Sequence, residues 1–306
     1  MKNRFIYLIL AGAALLTSCY KEDPITPSDA PMIANRFEFP QGDAEWDRFA
    51  EEIHDQYGVY LIYKDIDSMD LNRSWYSNGY NNSGTGLTDQ QAEAHMNFMK
   101  EHIFNYLTPE VAKGVFKPLY YLVYNFYGYS ASAYGRAPLL NYTNGIDFWV
   151  NSIFNTSTSE MPTDPAKLKE YRVKTLTVIL PEAYNKGKLT APDGFFDQFD
   201  FKTAIVTSSW DLENPNHYWK RGFPGELKDD AYEFSDYFFG TISTFTPAYT
   251  YKLYLFLCMR YNREELEAKF PSADYPLIHT CRNMVADHLK NAYGIDLEAI
   301  EHGPQE

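Results

Sequence analysis

The sequence predicts an α+β fold, with a small sheet near the front and a mainly helical rear half. Three observations predict it. Short β-rich runs at 59–63 (VYLIY) and 119–126 (LYYLVYNF) fall in the first half of the chain. A long apolar helix spans 163–185 (TDPAKLKEYRVKTLTVILPEAYN), and from 229 onward helical spacing dominates. No internal repeat or low-complexity run divides the body, so residues 39–306 read as one domain.

The first residues read as an address. Lys2 and Arg4 precede an apolar stretch from Phe5 to Leu16, and Leu16-Thr17-Ser18 leads into Cys19. This is the pattern of a bacterial lipoprotein signal, so residues 1–18 are expected to be removed and Cys19 to carry the lipid. The run is too short for a permanent bilayer-spanning helix. Tyr20-Lys21-Glu22-Asp23 resembles the export signal that places lipoproteins on the outer face of an outer membrane; display on the periplasmic face is the alternative. Residues 19–38, with three prolines and few large apolar groups, read as a lipidated tether.

Trp46, Phe49, Ile53 and Tyr57 lie on one face of a first helix that Gly58 ends, and 59–63 is then a strand. Residues 72–88 read as a polar surface loop. Thr88 with Gln91 forms a capping-box pattern that opens a helix running to Leu107, and Thr108-Pro109-Glu110 starts a short one. Residues 119–126 are expected to be one central strand, with further strands at 137–142 and 146–150.

In the long helix, Asp164 is a natural N-cap and Pro165 suits the first turn. Its second half is apolar almost all round, which places it inside the protein. Pro181 interrupts it at a cost of about 3 kcal/mol, and Glu182 follows directly. An irregular region, 186–228, contains Trp210 and Trp219. After it, 231–245 is expected to be a helix with Phe234, Tyr237, Phe238 and Ile242 toward the core, followed by helices near 251–261 and 274–293.

The formal charge of −14 argues against a nucleic-acid partner, since phosphate binding needs a basic surface. Cys258 and Cys281 sit in apolar helical contexts and read as buried free thiols, with pairing in an oxidising envelope as the alternative. His95 and His102 read as surface residues beside Glu101, and His54, His279 and His288 as structural. His217, in the loop NPNHYWKRG near Trp219, is the one histidine in aromatic, cleft-like company. There is no Gly-x-Ser-x-Gly elbow, phosphate-binding loop or dinucleotide fingerprint.

Four segments together resemble one known family. They are FAEEIHDQYGVYLIYKDIDSMDLNRSW, HIFNYLTPEVAKGVFKPLYYLVY, DDAYEFSDYFF and ADHLKNAYGIDLEAI. In order and spacing, and with the lipoprotein signal, they are similar to the zinc-binding metallopeptidase group of lipoproteins encoded beside outer-membrane nutrient importers. The resemblance implies a zincin-like fold and importer components as partners. It also implies a His-Glu-x-x-His motif on the central helix, in which two histidines bind zinc and the glutamate activates its water. That motif is missing. Its best placement puts Val178 and Ile179 at the first His and Glu and Glu182 at the second His, and residues 163–216 contain no histidine. Asp236 falls where the family's third ligand is expected.

The resemblance therefore implies a degenerate member without zinc, a lipoprotein that binds rather than cuts near nutrient capture at the outer membrane, anchored through Cys19. No catalytic or metal-ligating residue is assigned; Val178, Ile179, Glu182, Asp236 and His217 are the remnants to inspect. Two alternatives stand beside it. One is a hydrolase, zinc-dependent or metal-free, with an unrecognised site. The other is a glycan-binding surface lipoprotein, suggested by 26 Tyr and 5 Trp, several of them in loops.

Overall fold

A computed structural model describes residues 36–73, 81–130, 133, 135–208, 210–228, 231–235 and 244–304. Cys19, Trp75 and Asp236 lie outside the described residues, as do Tyr237, Phe238 and Ile242. The architecture is α+β, with eight α-helices and two small sheets among the described residues. The described residues from Phe39 onward pack as one unit.

Helix α1, Glu45–Tyr57, buries Phe49, Ile53 and Tyr57 at successive turns and stops at Gly58, whose φ of 74° a side chain would resist. The chain enters β1, Tyr60–Ile62, which pairs in parallel with β3, Leu119–Leu122. Strand β3 pairs in parallel with β7, Phe148–Asn151, and the short β6, Asn141–Tyr142, closes that sheet antiparallel to β7. Every residue of β3 and β7 is buried, as expected of central strands covered on both faces.

The expected single strand at 119–126 is two strands in two sheets. Val123 N–H donates to the Asn151 carbonyl and Asn125 N–H to that of Phe154. Asn125 takes the left-handed φ of 54°, which turns the chain out of the first sheet. Strand β4, Tyr124–Ser130, then joins the second sheet between β2, Ser83–Thr85, and β5, Gly135–Pro138, all antiparallel. Strand β2 interrupts the expected polar loop, and the expected strand at 137–142 is split between β5 and β6.

Helix α2, Asp89–Phe98, starts at the predicted Thr88–Gln91 capping box. It continues as a π turn, Met99–Ile103, and a 3₁₀ turn, Phe104–Tyr106, instead of regular helix to Leu107. The short α3 is Pro109–Ala112. Helix α4, Pro165–Asn185, is the long helix predicted, with the Asp164 carboxylate accepting from Ala166 N–H and Pro181 inside it.

In the rear half, α5, Pro247–Arg260, is buried almost all round and packs on α4. Helix α6, Arg263–Lys269, is opened by an Asn262–Glu265 capping box, and α7, Pro276–Tyr293, ends at Gly294. Helix α8, Leu297–His302, is capped by Asp296. The expected helix over 231–245 is not formed at 231–235, where the chain is irregular, although Phe234 does reach the core against Phe256.

Arg172 ties front to rear. It is 2% exposed on α4, and its guanidinium donates to the carbonyls of Ile300 and Glu301 at 2.6 and 3.0 Å. Those carbonyls lie at the negative end of α8, where a cation is favoured.

Candidate functional site: the cleft along the central helix

Residues 174, 177, 178 and 181 follow helical spacing i, i+3, i+4, i+7, so they form one stripe on α4. In this chain the stripe is Lys174, Thr177, Val178 and Pro181, and it lines a cleft of about 340 Å³. The opposite side is built by Tyr129 and Ser130 of β4 and by Asn141 and Tyr142 of β6 with the turn that follows. Tyr249, Lys252 and Leu253 of α5 and the loop residues Leu139, Leu227, Lys228 and Ala231 complete the lining. Tyr249 is fixed by its hydroxyl, which exchanges hydrogen bonds with the backbone of Leu227.

Behind the cleft runs a buried polar chain. His95 is fully buried, and its Nε2 donates to Asn151 Oδ1 at 2.7 Å. The Asn151 amide in turn donates to Asn141 Oδ1 at 2.9 Å and to Thr175 Oγ1 at 3.1 Å. Each link fixes the next: an amide NH₂ that donates twice leaves its oxygen to accept, so the imidazole carries its proton on Nε2. Burial holds His95 down at a pKa of about 4, so the ring is neutral at pH 7. The chain thus braces Asn141, a cleft wall residue, from inside. Two buried atoms on cleft-lining residues, Thr177 Oγ1 and Asn141 Nδ2, have no hydrogen-bond partner among the described residues.

His102 is also buried, stacked on Phe98, with Arg172 Nη1 donating to its Nδ1 at 2.9 Å. Burial first and the Arg172 charge second lower its pKa to about 4. His95 and His102 are therefore interior residues, not surface ones. Their polar partners, Asn151 and Arg172, compensate the burial that the helix pattern alone did not reveal.

The residues placed at the sought motif's positions separate. Val178 lines the cleft, while Ile179 is fully buried in the core. Glu182 is directed to its own helix end, 3.6 Å from Lys186 and accepting from Asn185 at 3.0 Å, and does not line the cleft. His217 is fully buried between Tyr218 and Trp219 and also lies outside the cleft lining. Its pKa is lowered, first by burial. Asp236 lies outside the described residues. Lys174, Lys228 and Lys252 are cleft residues that sequence reasoning missed, because three separate segments contribute them.

Among the described residues no three His, Cys, Asp or Glu side chains come together to hold a metal. The stripe facing the cleft offers an amine, a hydroxyl, an aliphatic group and a proline. Zinc takes imidazole, thiolate or carboxylate, so this set does not fit it. Cys258 and Cys281 are free and buried, with burial pushing both thiols up to about 12. Trp210 is 88% exposed; Trp219 is half-buried, edge-on to Phe270 and Tyr275, with its indole N–H on the Pro224 carbonyl. Among the described residues no helix is long and apolar enough to cross a membrane.

No family model matches the sequence, and no curated protein does. Among solved structures, the chain is similar to a protein of Bacteroides caccae ATCC 43185 described as a "putative zinc-binding metallo-peptidase". The identity is 12%, over 85% of this chain and 92% of that one, with a TM-score of 0.49.

Proposed function

We propose that this chain is a non-catalytic, zincin-like lipoprotein that holds a ligand in the cleft along α4. It would act beside outer-membrane nutrient importers, anchored through Cys19 and displayed at the cell surface. The observation that carries the reading is the cleft-facing stripe of the central helix. Where the resemblance implies histidines, Val178 lines the cleft and Glu182 points elsewhere. Unmetallated histidines or carboxylates in such a position would be costly to bury, whereas an aliphatic packs.

What remains is a concave site of mixed polar and apolar lining with a hydrogen-bonded wall. Asn141 is braced by the Asn151–His95 chain and Tyr249 by Leu227, and Thr177 Oγ1 and Asn141 Nδ2 have no hydrogen-bond partner among the described residues. Hydroxyls, amides and tyrosine rings suit hydroxylated ligands, which favours glycan binding as the second reading. The hydrolase alternative is separated by incubating the full-length protein, with and without added zinc, with a mixed peptide library and reading cleavage by mass spectrometry. An intact library is expected. Zinc-dependent cleavage that a Val178→Trp substitution abolishes would overturn the proposal.

A further inference from the structure

The charged side chains lining the cleft are Lys174, Lys228 and Lys252, and no carboxylate joins them among the described residues. The chain as a whole has the opposite sign, with 41 acidic against 27 basic residues. Lys174 is held from behind by Glu170 at 2.9 Å. Lys228 and Lys252 have no ion-pair partner among the described residues. Glu170 offsets the charge of Lys174, which leaves two uncompensated ammonium groups at one concavity, a charge that a bound anion would offset.

Resting on the binding reading above, we propose that this cleft takes an acidic saccharide, a short chain of sugar units bearing carboxylates. The lysines would meet the carboxylates. Asn144, Thr143 and Ser130 offer amide and hydroxyl groups matched to sugar hydroxyls, and the tyrosines offer ring surface. A volume of about 340 Å³ is at the small end of ligand sites. It suits a few compact rings better than an extended peptide.

The test is calorimetric titration of the full-length protein with trigalacturonic acid, neutral galactotriose and tetraglutamate. Trigalacturonic acid is expected to bind, at least about tenfold more tightly than galactotriose, and to weaken as salt rises. Lys228→Gln and Lys252→Gln should each weaken it about three- to fivefold, the scale of a solvent-exposed ion pair. Lys269→Gln, outside the cleft lining, should leave it unchanged.

Equal binding of galactotriose would overturn the acidic preference and leave the binding cleft standing. Tighter binding of tetraglutamate would replace the saccharide by an acidic peptide. No binding of trigalacturonic acid, or binding indifferent to both lysine substitutions, would overturn the inference. Zinc-dependent breakdown of the trisaccharide would instead overturn the non-catalytic reading while leaving the charge preference intact.

Discussion

Acidification is predicted to destabilise this protein through His95 before its carboxylates protonate. The ring is fully buried, its Nε2–H is committed to Asn151, and its Nδ1 has no partner among the described residues. A proton added at Nδ1 would be an uncompensated interior charge, which is why the pKa falls from 6.5 to about 4. Above pH 6.5 the folded and unfolded forms are both neutral, so the ring's neutrality costs nothing. As pH drops below 6.5, the unfolded chain binds a proton that the folded protein refuses, and stability is lost until about pH 4. At about 1.4 kcal/mol per pH unit, the loss reaches about 2.5 kcal/mol by pH 4.5. His102 titrates in the same window, lowered by burial and then by Arg172. A His95→Gln variant isolates the His95 share. Urea unfolding of wild type and variant at pH 7 and pH 4.5 gives a double difference. The variant should lose about 2.5 kcal/mol less than wild type on acidification. Equal losses in both proteins would refute the reasoning.

Three further outcomes follow from the packing. Arg172→Met leaves the Ile300 and Glu301 carbonyls and His102 Nδ1 without their donor. It should cost about 3–5 kcal/mol, read as a fall of roughly 10 °C in Tm. Pro181→Ala restores a helical donor within α4 and should raise stability by about 1–3 kcal/mol in the same melts. Cys258 and Cys281, buried and with raised pKa values, should escape alkylation in the native protein and react only in denaturant, as peptide mapping would show.

The elements written in local code were legible in the sequence. Asp164-Pro165, Thr88–Gln91 and Gly58 mark helix ends through contacts within a few residues, and all three stand where expected. The two-sheet division was not legible, because 119–126 is apolar at every position but Asn125 and so reads as one strand. The break depends on Val123 and Asn125 bonding to residues 28 and 29 positions away. The burial of His95 and His102 was hidden for the same reason, since their partners lie 56 and 70 residues distant. At the site, the absence of histidine from α4 could be read directly from 163–216. The cationic lining could not, because α4, α5 and the loop before residue 231 bring its lysines together only in the folded chain.

The most direct test of the central claim, that the α4 cleft binds without metal, is zinc stoichiometry. The full-length protein would be equilibrated with zinc, dialysed, and its metal counted by mass spectrometry. The donor set of Lys174, Thr177, Val178 and Pro181 predicts far less than one zinc per chain. One zinc per chain, lost on changing Asp236→Ala, would contradict the claim and restore a metal-dependent hydrolase.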